Sequence, residues 1–195
     1  MQLLNIRRAT AWRLILLFLA LLIIVHCGLK KKPLSPGAQK FKQEIQSLIG
    51  VLAPSLIEPI QKRDIPAIHT SLAKHLETHD SICITCSFRV GVLDRQGIVL
   101  ATYPKIGLAG INFSTYQTVT EALQRGRIGS QPIFTPQGEA DFIICAPVNR
   151  GSKIIGALAL AVRSIDLENK WGISKKEFPS IDFNTGSGLA SSWSE

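Results

Sequence analysis

No Asp or Glu occurs among the first 33 residues, although the chain holds fourteen. Six of its 22 Lys and Arg lie in that stretch: Arg7, Arg8, Arg13 and Lys30 to Lys32. From Pro33 onward the remaining sixteen basic groups face fourteen acidic ones, a net of +2 out of the whole chain's +8. The high pI therefore reflects the leader, and no Lys- or Arg-rich face interleaved with aromatics comes after it. Nucleic acid is not an expected partner. Catalytic signatures are also missing: there is no G-x-S-x-G elbow, no phosphate loop and no carboxylate pair at informative spacing. The glycines at 107, 110, 126 and 129 do not form G-x-G-x-x-G. Neither an enzyme nor a cofactor is expected.

A long apolar run is present once. Leu14 to Leu29, "LILLFLALLIIVHCGL", carries no charged residue and comes after Trp12 and Arg13. As a helix it spans about 24 Å, and Ala9 to Trp12 extend it with Arg13 snorkelling. The expected outcome is an uncleaved anchor that crosses the inner (cytoplasmic) membrane once, with the domain beyond it on the extracytoplasmic, periplasmic side. Arg7, Arg8 and Arg13 favour an inside N-terminus, and Lys30 to Lys32 on the other flank weaken that bias. A lipoprotein anchored through Cys27 is the alternative, although His26 stands where a small residue is expected before a lipidated cysteine. The apolar run is not succeeded by a small-x-small cleavage site.

After this leader (1–32) one domain is expected over 33–165, with helices in 36–79 and a sheet in 82–164. Ser35-Pro36 offers a cap and a first-turn proline, and Phe41, Ile45, Leu48, Ile49 and Leu52 form a helical stripe. Pro54 and Pro59 are expected to break or kink the helix just beyond that stripe. Asp64 is a second N-cap with Pro66 just inside, and Ile65, Ile68, Leu72 and Leu76 continue a helix to about Thr78. The texture then turns to β. "ICITCSFRVGVLD" ends in the turn Asp94 to Gly97, and "IVLATYP" is the next strand. A short helix is expected around Thr118 to Gln124. "SQPIFTP", "ADFIICAPV" and "SKIIGALALAVRS" are three more strands. Five strands with short turns imply an antiparallel sheet covered on one face by the N-terminal helices, an α+β domain. Residues 166–195 read as a polar tail, on which Trp171 and Phe178 are candidates for docking onto the body.

"VGVLDRQGIVLATYP", "GINFSTYQTVTEALQRGRIGSQPIF" and "APVNRGSKIIGALALAV" together resemble the extracytoplasmic Cache (PAS-like) sensor domain. The shared pattern is a strand ending in Asp-x-x-Gly, a second strand, and Gly-x-Asn-x-Ser opening a short helix that ends in glycine. Ala-Pro-Val, a turn and a glycine-containing last strand complete it. With the upstream helix the match covers 36–165. The resemblance implies a strand order of 2-1-5-4-3 and a ligand pocket on one sheet face, roofed by 105–130. Typical members continue into a second membrane helix and a signalling module. This sequence shows neither, so a separate signalling or envelope protein is the expected partner.

Alternation on the first strand puts Ser87, Arg89, Gly91 and Leu93 on one face and Phe88, Val90 and Val92 on the other. The apolar set suits helix packing. The other set is the candidate pocket face, where Arg89 can grip a carboxylate of a small-molecule ligand. Tyr103 ends the second strand. Asn112, Ser114 and Tyr116 fall in the roof segment, where Cache domains place ligand contacts, and Arg127 and Lys153 are further cationic candidates. The competing reading makes Arg89 a surface residue paired with an acid, and the others loop-capping polar groups.

His75, His79, Cys83 and Cys86 form H-x3-H-x3-C-x2-C, which admits an envelope thiol- or metal-binding protein as a rival function. In one extended strand the two cysteines point to opposite faces, which disfavours a shared ion. Ser87 stands where c-type haem attachment needs histidine. In the implied strand order Cys86 and Cys145 lie two strands apart, about 9 to 10 Å and beyond disulfide reach. A local Cys83–Cys86 bond and free buried thiols both remain, and a purely structural envelope component is a third reading.

Overall fold

The computed structural model describes residues 33–77, 88–134 and 140–185. Helix α1 (Pro36–Lys62) opens as expected: the Ser35 hydroxyl accepts from the Ala38 N–H at 3.2 Å, and Pro36 occupies the first turn. Its stripe of Phe41, Ile45, Leu48, Ile49 and Leu52 is buried. The expected break at Pro54 and Pro59 does not occur, because both lie inside one 27-residue helix. Each interior proline removes a ladder bond and costs about 3 kcal/mol. The Ser55 carbonyl, which would have bonded the residue 59 N–H, accepts the Ser71 hydroxyl at 3.3 Å instead. Buried Leu52, Leu56 and Ile60 flank the prolines, and each contributes about 1.5–3 kcal/mol on burial. Tertiary packing outweighs the local rule.

Arg63 closes α1 in the left-handed region (φ 50°). Asp64 then caps α2 (Ile65–Glu77) by accepting the Ala67 N–H at 3.0 Å. Ile68, Leu72 and Leu76 bury its inner face.

The sheet has five strands: β1 (Phe88–Asp94), β2 (Val99–Tyr103), β3 (Gly129–Phe134), β4 (Ala140–Arg150) and β5 (Lys153–Arg163). They pair antiparallel in the order β2-β1-β5-β4-β3, the order implied by the resemblance. Phe88, Val90 and Val92 join Leu158, Leu160 and Val162 of β5 and Phe142 and Ile144 of β4 in one core with α1 and α2. The apolar set of the alternation is thus the helix-facing set. Helix α3 (Gln117–Arg125) lies over the opposite face, packing Val119 and Ala122 against Leu93, Cys145 and Ala157.

The stretch expected as a polar tail is, as far as residue 183, part of the core. Helix α4 (Ser164–Trp171) and a short 3₁₀ turn (Phe178–Ser180) lead back along α1. Leu167, Trp171, Ile173, Phe178, Ile181 and Phe183 are all buried. Phe41 is ringed by Trp171 at 5.0 Å, Phe183 at 6.1 Å and Phe178 at 6.3 Å between centroids. Gln46 fixes the segment by donating to the Phe183 carbonyl at 2.8 Å, and the Trp171 indole donates to Glu44 at 2.8 Å. Gly37 permits the approach, since a Cβ there would sit 1.8 Å from the Trp171 carbonyl oxygen. The polar residues between these six apolar side chains lower the segment's mean hydropathy without weakening its packing.

Among the described residues no helix is long and apolar enough to cross a membrane. The run at 14–29, Cys27, His79, Cys83, Cys86 and Ser87 lie outside the described residues.

Candidate functional site

The floor of the site is made of small side chains. On the face away from α1, Gly91 of β1 pairs with Ala159 of β5, and Ala161 lies between Arg89 of β1 and Ile143 of β4. Ala157 continues the row beside Leu93. Side chains alternate across a strand, so small residues at 157, 159 and 161 leave space above the middle of the sheet. The roof crosses that space.

The roof is pinned along the hairpin. Val99 exchanges backbone hydrogen bonds with Ile111 (2.9 Å) and Gly110 (2.8 Å), and the Gly97 carbonyl accepts from Phe113 at 2.8 Å. Phe113 and Tyr116 stack obliquely, 5.3 Å between centroids, and lead into α3. At the far end of the roof, Gly129 lets β3 approach the helix, since a Cβ there would stand 2.8 Å from Thr118 Cα. The Gln131 side chain accepts the Thr118 N–H at 3.1 Å, which fixes the first turn of α3 over the sheet.

Floor and roof bound a half-open cavity of about 150 Å³. Its wall is apolar over most of its extent, from Leu93, Val99, Leu108, Phe113, Val119 and Ile143, with Arg89, Thr102, Tyr116 and Thr118 as its polar members. Arg89 is exposed and has no ion-pair or hydrogen-bond partner among the described residues. Its exposure fits the reading of Arg89 as a surface residue, and no acid is paired with it among the described residues. The Thr118 hydroxyl is buried and likewise lacks a hydrogen-bond partner among the described residues.

Arg89 and Tyr116 are thus brought to the cavity wall, with Gly91 and Leu93 beside Arg89 as the alternation requires. Tyr103 is not. It packs on the helix-side core, and its hydroxyl donates to Glu77 at 3.0 Å, which holds the phenol in its neutral form and raises its pKa. Its neighbour Thr102 takes the cavity position. Asn112 and Ser114 stay outside the wall as a turn, the Asn112 side chain accepting the Ser114 N–H at 2.8 Å. Arg127 lies just past the end of α3 and Lys153 begins β5, and neither lines the cavity. Of the four candidate metal ligands only His75 is among the described residues, and no group of three His, Cys, Asp or Glu suited to a metal occurs there.

Thr118, Ala159, Ala161 and Ile143 were not singled out from the sequence. The run Ala157-Leu158-Ala159-Leu160-Ala161 carried a signal, because small residues at every second position mark a face with room above it. Cys145 lies beneath α3 as a free thiol whose full burial pushes its pKa up to about 12. It acts there as a small apolar residue.

No family model matches the sequence, and neither does any curated protein. Solved structures do match. The ligand-binding domain of the Campylobacter jejuni chemoreceptor Tlp3, in complex with 4-methylisoleucine, is 19% identical with a TM-score of 0.53, over 68% of this chain and 55% of that one. The ligand-binding domain of the Pseudomonas aeruginosa amino acid chemoreceptor PctC, in complex with GABA, is 20% identical with a TM-score of 0.50, over 68% and 61%. That of the Pseudomonas fluorescens chemoreceptor CtaA, in complex with L-serine, is 12% identical with a TM-score of 0.50, over 68% and 57%. The chain spans a little over half the length of these domains. At such identities the likeness is one of fold: this chain is similar in architecture to chemoreceptor sensor domains, the architecture that the Cache resemblance implied.

Proposed function

We propose that the chain is an extracytoplasmic sensor domain, held to the membrane by residues 14–29, that binds a small carboxylate. In this reading Arg89 grips the carboxylate while the ligand's apolar body enters the cavity, and occupancy is read by a separate signalling or envelope protein. The observation that carries it is Arg89 itself. A guanidinium without an ion-pair partner among the described residues stands at the wall of an otherwise apolar cavity, over a floor of Gly91, Ala159 and Ala161. Few convergent polar groups in a mostly apolar hollow are the usual makeup of a small-molecule site, and the guanidinium fork matches a carboxylate in shape and charge. Size narrows the buried part of the ligand, because a cavity of this volume holds a group about as large as benzene. Ligand-binding neighbours of the same fold support the class of function.

Thermal-shift and calorimetric titration of the full chain, purified in detergent, against short carboxylates and matched amides test this reading. Carboxylates are expected to stabilise the fold and amides are not; equal responses would remove the role of Arg89.

A further inference from the structure

A glycine inside a strand weakens it, and its place there is explained by a bulge, by a close approach of other atoms, or by a ligand that needs the room. Three of the described strands carry one: Gly91 in β1, Gly129 in β3 and Gly156 in β5. Close packing accounts for two of them. A Cβ at 129 would stand 2.8 Å from Thr118 Cα, and one at 156 would stand 2.4 Å from the Leu93 carbonyl oxygen. Gly91 is different. Its φ lies outside the left-handed region, and a Cβ there would meet nothing nearer than the Ala159 Cβ at 3.9 Å, an ordinary contact. It pairs with Thr102 on one side and Ala159 on the other, and the irregularity in the β1–β2 pairing comes after it, between Val92 and Leu93. Neither the backbone nor the neighbouring atoms require glycine, which leaves the room above it as the reason.

That room belongs to the cavity, which Gly91 lines between Arg89 and Leu93 on the face that alternation gives all three. Successive residues on one face of a strand are about 6.5–7 Å apart. A body attached to a carboxylate at Arg89 therefore lies over the Gly91–Ala159 pair. We propose that Gly91 sets the width of the cavity, and that the ligand carries a broad apolar body there, a ring or a branched chain. This rests on the reading of the cavity as the ligand site. A methyl at position 91 would rise from the floor into the space a ring occupies, whereas a narrow unbranched chain passes beside it.

The test compares wild type, Gly91→Ala and Arg89→Gln of the full chain, titrated with benzoate and pentanoate. Wild type is expected to bind benzoate at least as tightly as pentanoate. In Gly91→Ala benzoate binding is expected to fall about tenfold or more, and pentanoate binding to change less than about threefold. The unliganded melting temperature of Gly91→Ala is expected to rise by about 1–3 °C, since alanine has less chain entropy to lose on folding and the fold does not need glycine. A lower melting temperature would make Gly91 a folding requirement and overturn the proposal. Equal effects on the two acids, or none, would overturn it while leaving Arg89 as the carboxylate site. Benzoate binding lost in Gly91→Ala but undiminished in Arg89→Gln would uphold the role of Gly91 and remove that of Arg89. Binding of neither acid to wild type would overturn both.

Discussion

Arg63 donates to the carboxylate of Asp94, and this contact joins the end of the long helix to the hairpin that carries the site. The second carboxylate oxygen of Asp94 accepts the N–H groups of Gln96 at 2.9 Å and Ile98 at 3.0 Å, which closes the Asp-x-x-Gly turn. Asp94 is buried, and the Arg63 side chain is 62% exposed. Truncating the buried partner strands two backbone donors and a cation, so Asp94→Ala is expected to cost about 2–4 kcal/mol in urea denaturation. Arg63→Ala removes only a solvent-screened half of the pair and is expected to cost about 1 kcal/mol or less. Equal losses in the two variants would show that the turn bonds of Asp94 contribute nothing.

The segment after α4 is expected to behave as core. Phe178 is fully buried against Phe41, Phe142 and Phe183. Phe178→Ala is therefore expected to lose about 3–5 kcal/mol, the range for a large aromatic deleted from a packed interior. A loss below about 1 kcal/mol, the level of surface substitutions, would restore the reading of this stretch as a tail.

Cys145 is expected to be chemically silent in the folded chain. With its pKa pushed up to about 12, roughly one thiol in ten thousand is ionised at pH 8, and the thiolate is the reactive form. Mass spectrometry after iodoacetamide treatment is expected to find Cys145 unmodified in buffer and alkylated in denaturant. Rapid labelling of the native protein would contradict its burial beneath α3.

His69 on α2 links stability weakly to pH. Partial burial, and after it the charge of Lys105, lowers its pKa below the ordinary 6.5. A histidine whose folded pKa is depressed binds fewer protons than in the unfolded chain, so its contribution is present above about pH 6.5 and is lost as pH falls through the folded value. The melting temperature of wild type is expected to fall more steeply than that of His69→Gln as pH is lowered from about 7 to 5. Parallel curves would contradict this.

The features legible in the sequence were mainly local. The caps at Ser35 and Asp64, the turn from Asp94 to Gly97 and the two faces of β1 each depend on residues a few positions apart. Arg89 was legible for the same reason, through strand alternation. The strand order came from the resemblance to Cache domains and not from periodicity. The features that escaped depend on distant parts of the chain. Pro54 and Pro59 are tolerated because α2 and the sheet hold α1 together across them. Of the six apolar residues from Leu167 to Phe183, Trp171 and Phe178 were legible as docking on the body, and the other four look sparse until α1 lies beside them. Tyr103 faces Glu77 because the register with Val90 assigns its side, and nothing in "IVLATYP" states that register. Thr118 enters the wall because Gly129 admits α3 close to β3.

In the proposed function Arg89 holds a carboxylate over the small-residue floor. Isothermal titration of the full chain with short carboxylates, in wild type and in Arg89→Gln, tests it most directly. A ligand of this size is expected to bind wild type with a Kd of about 10 µM to 1 mM. Arg89→Gln is expected to weaken that binding about tenfold or more by removing a charge-assisted pair. Its unliganded melting temperature is expected to stay within about 2 °C, since an exposed side chain with no partner among the described residues contributes little to folding. Undiminished carboxylate binding by Arg89→Gln would show that Arg89 does not hold the carboxylate.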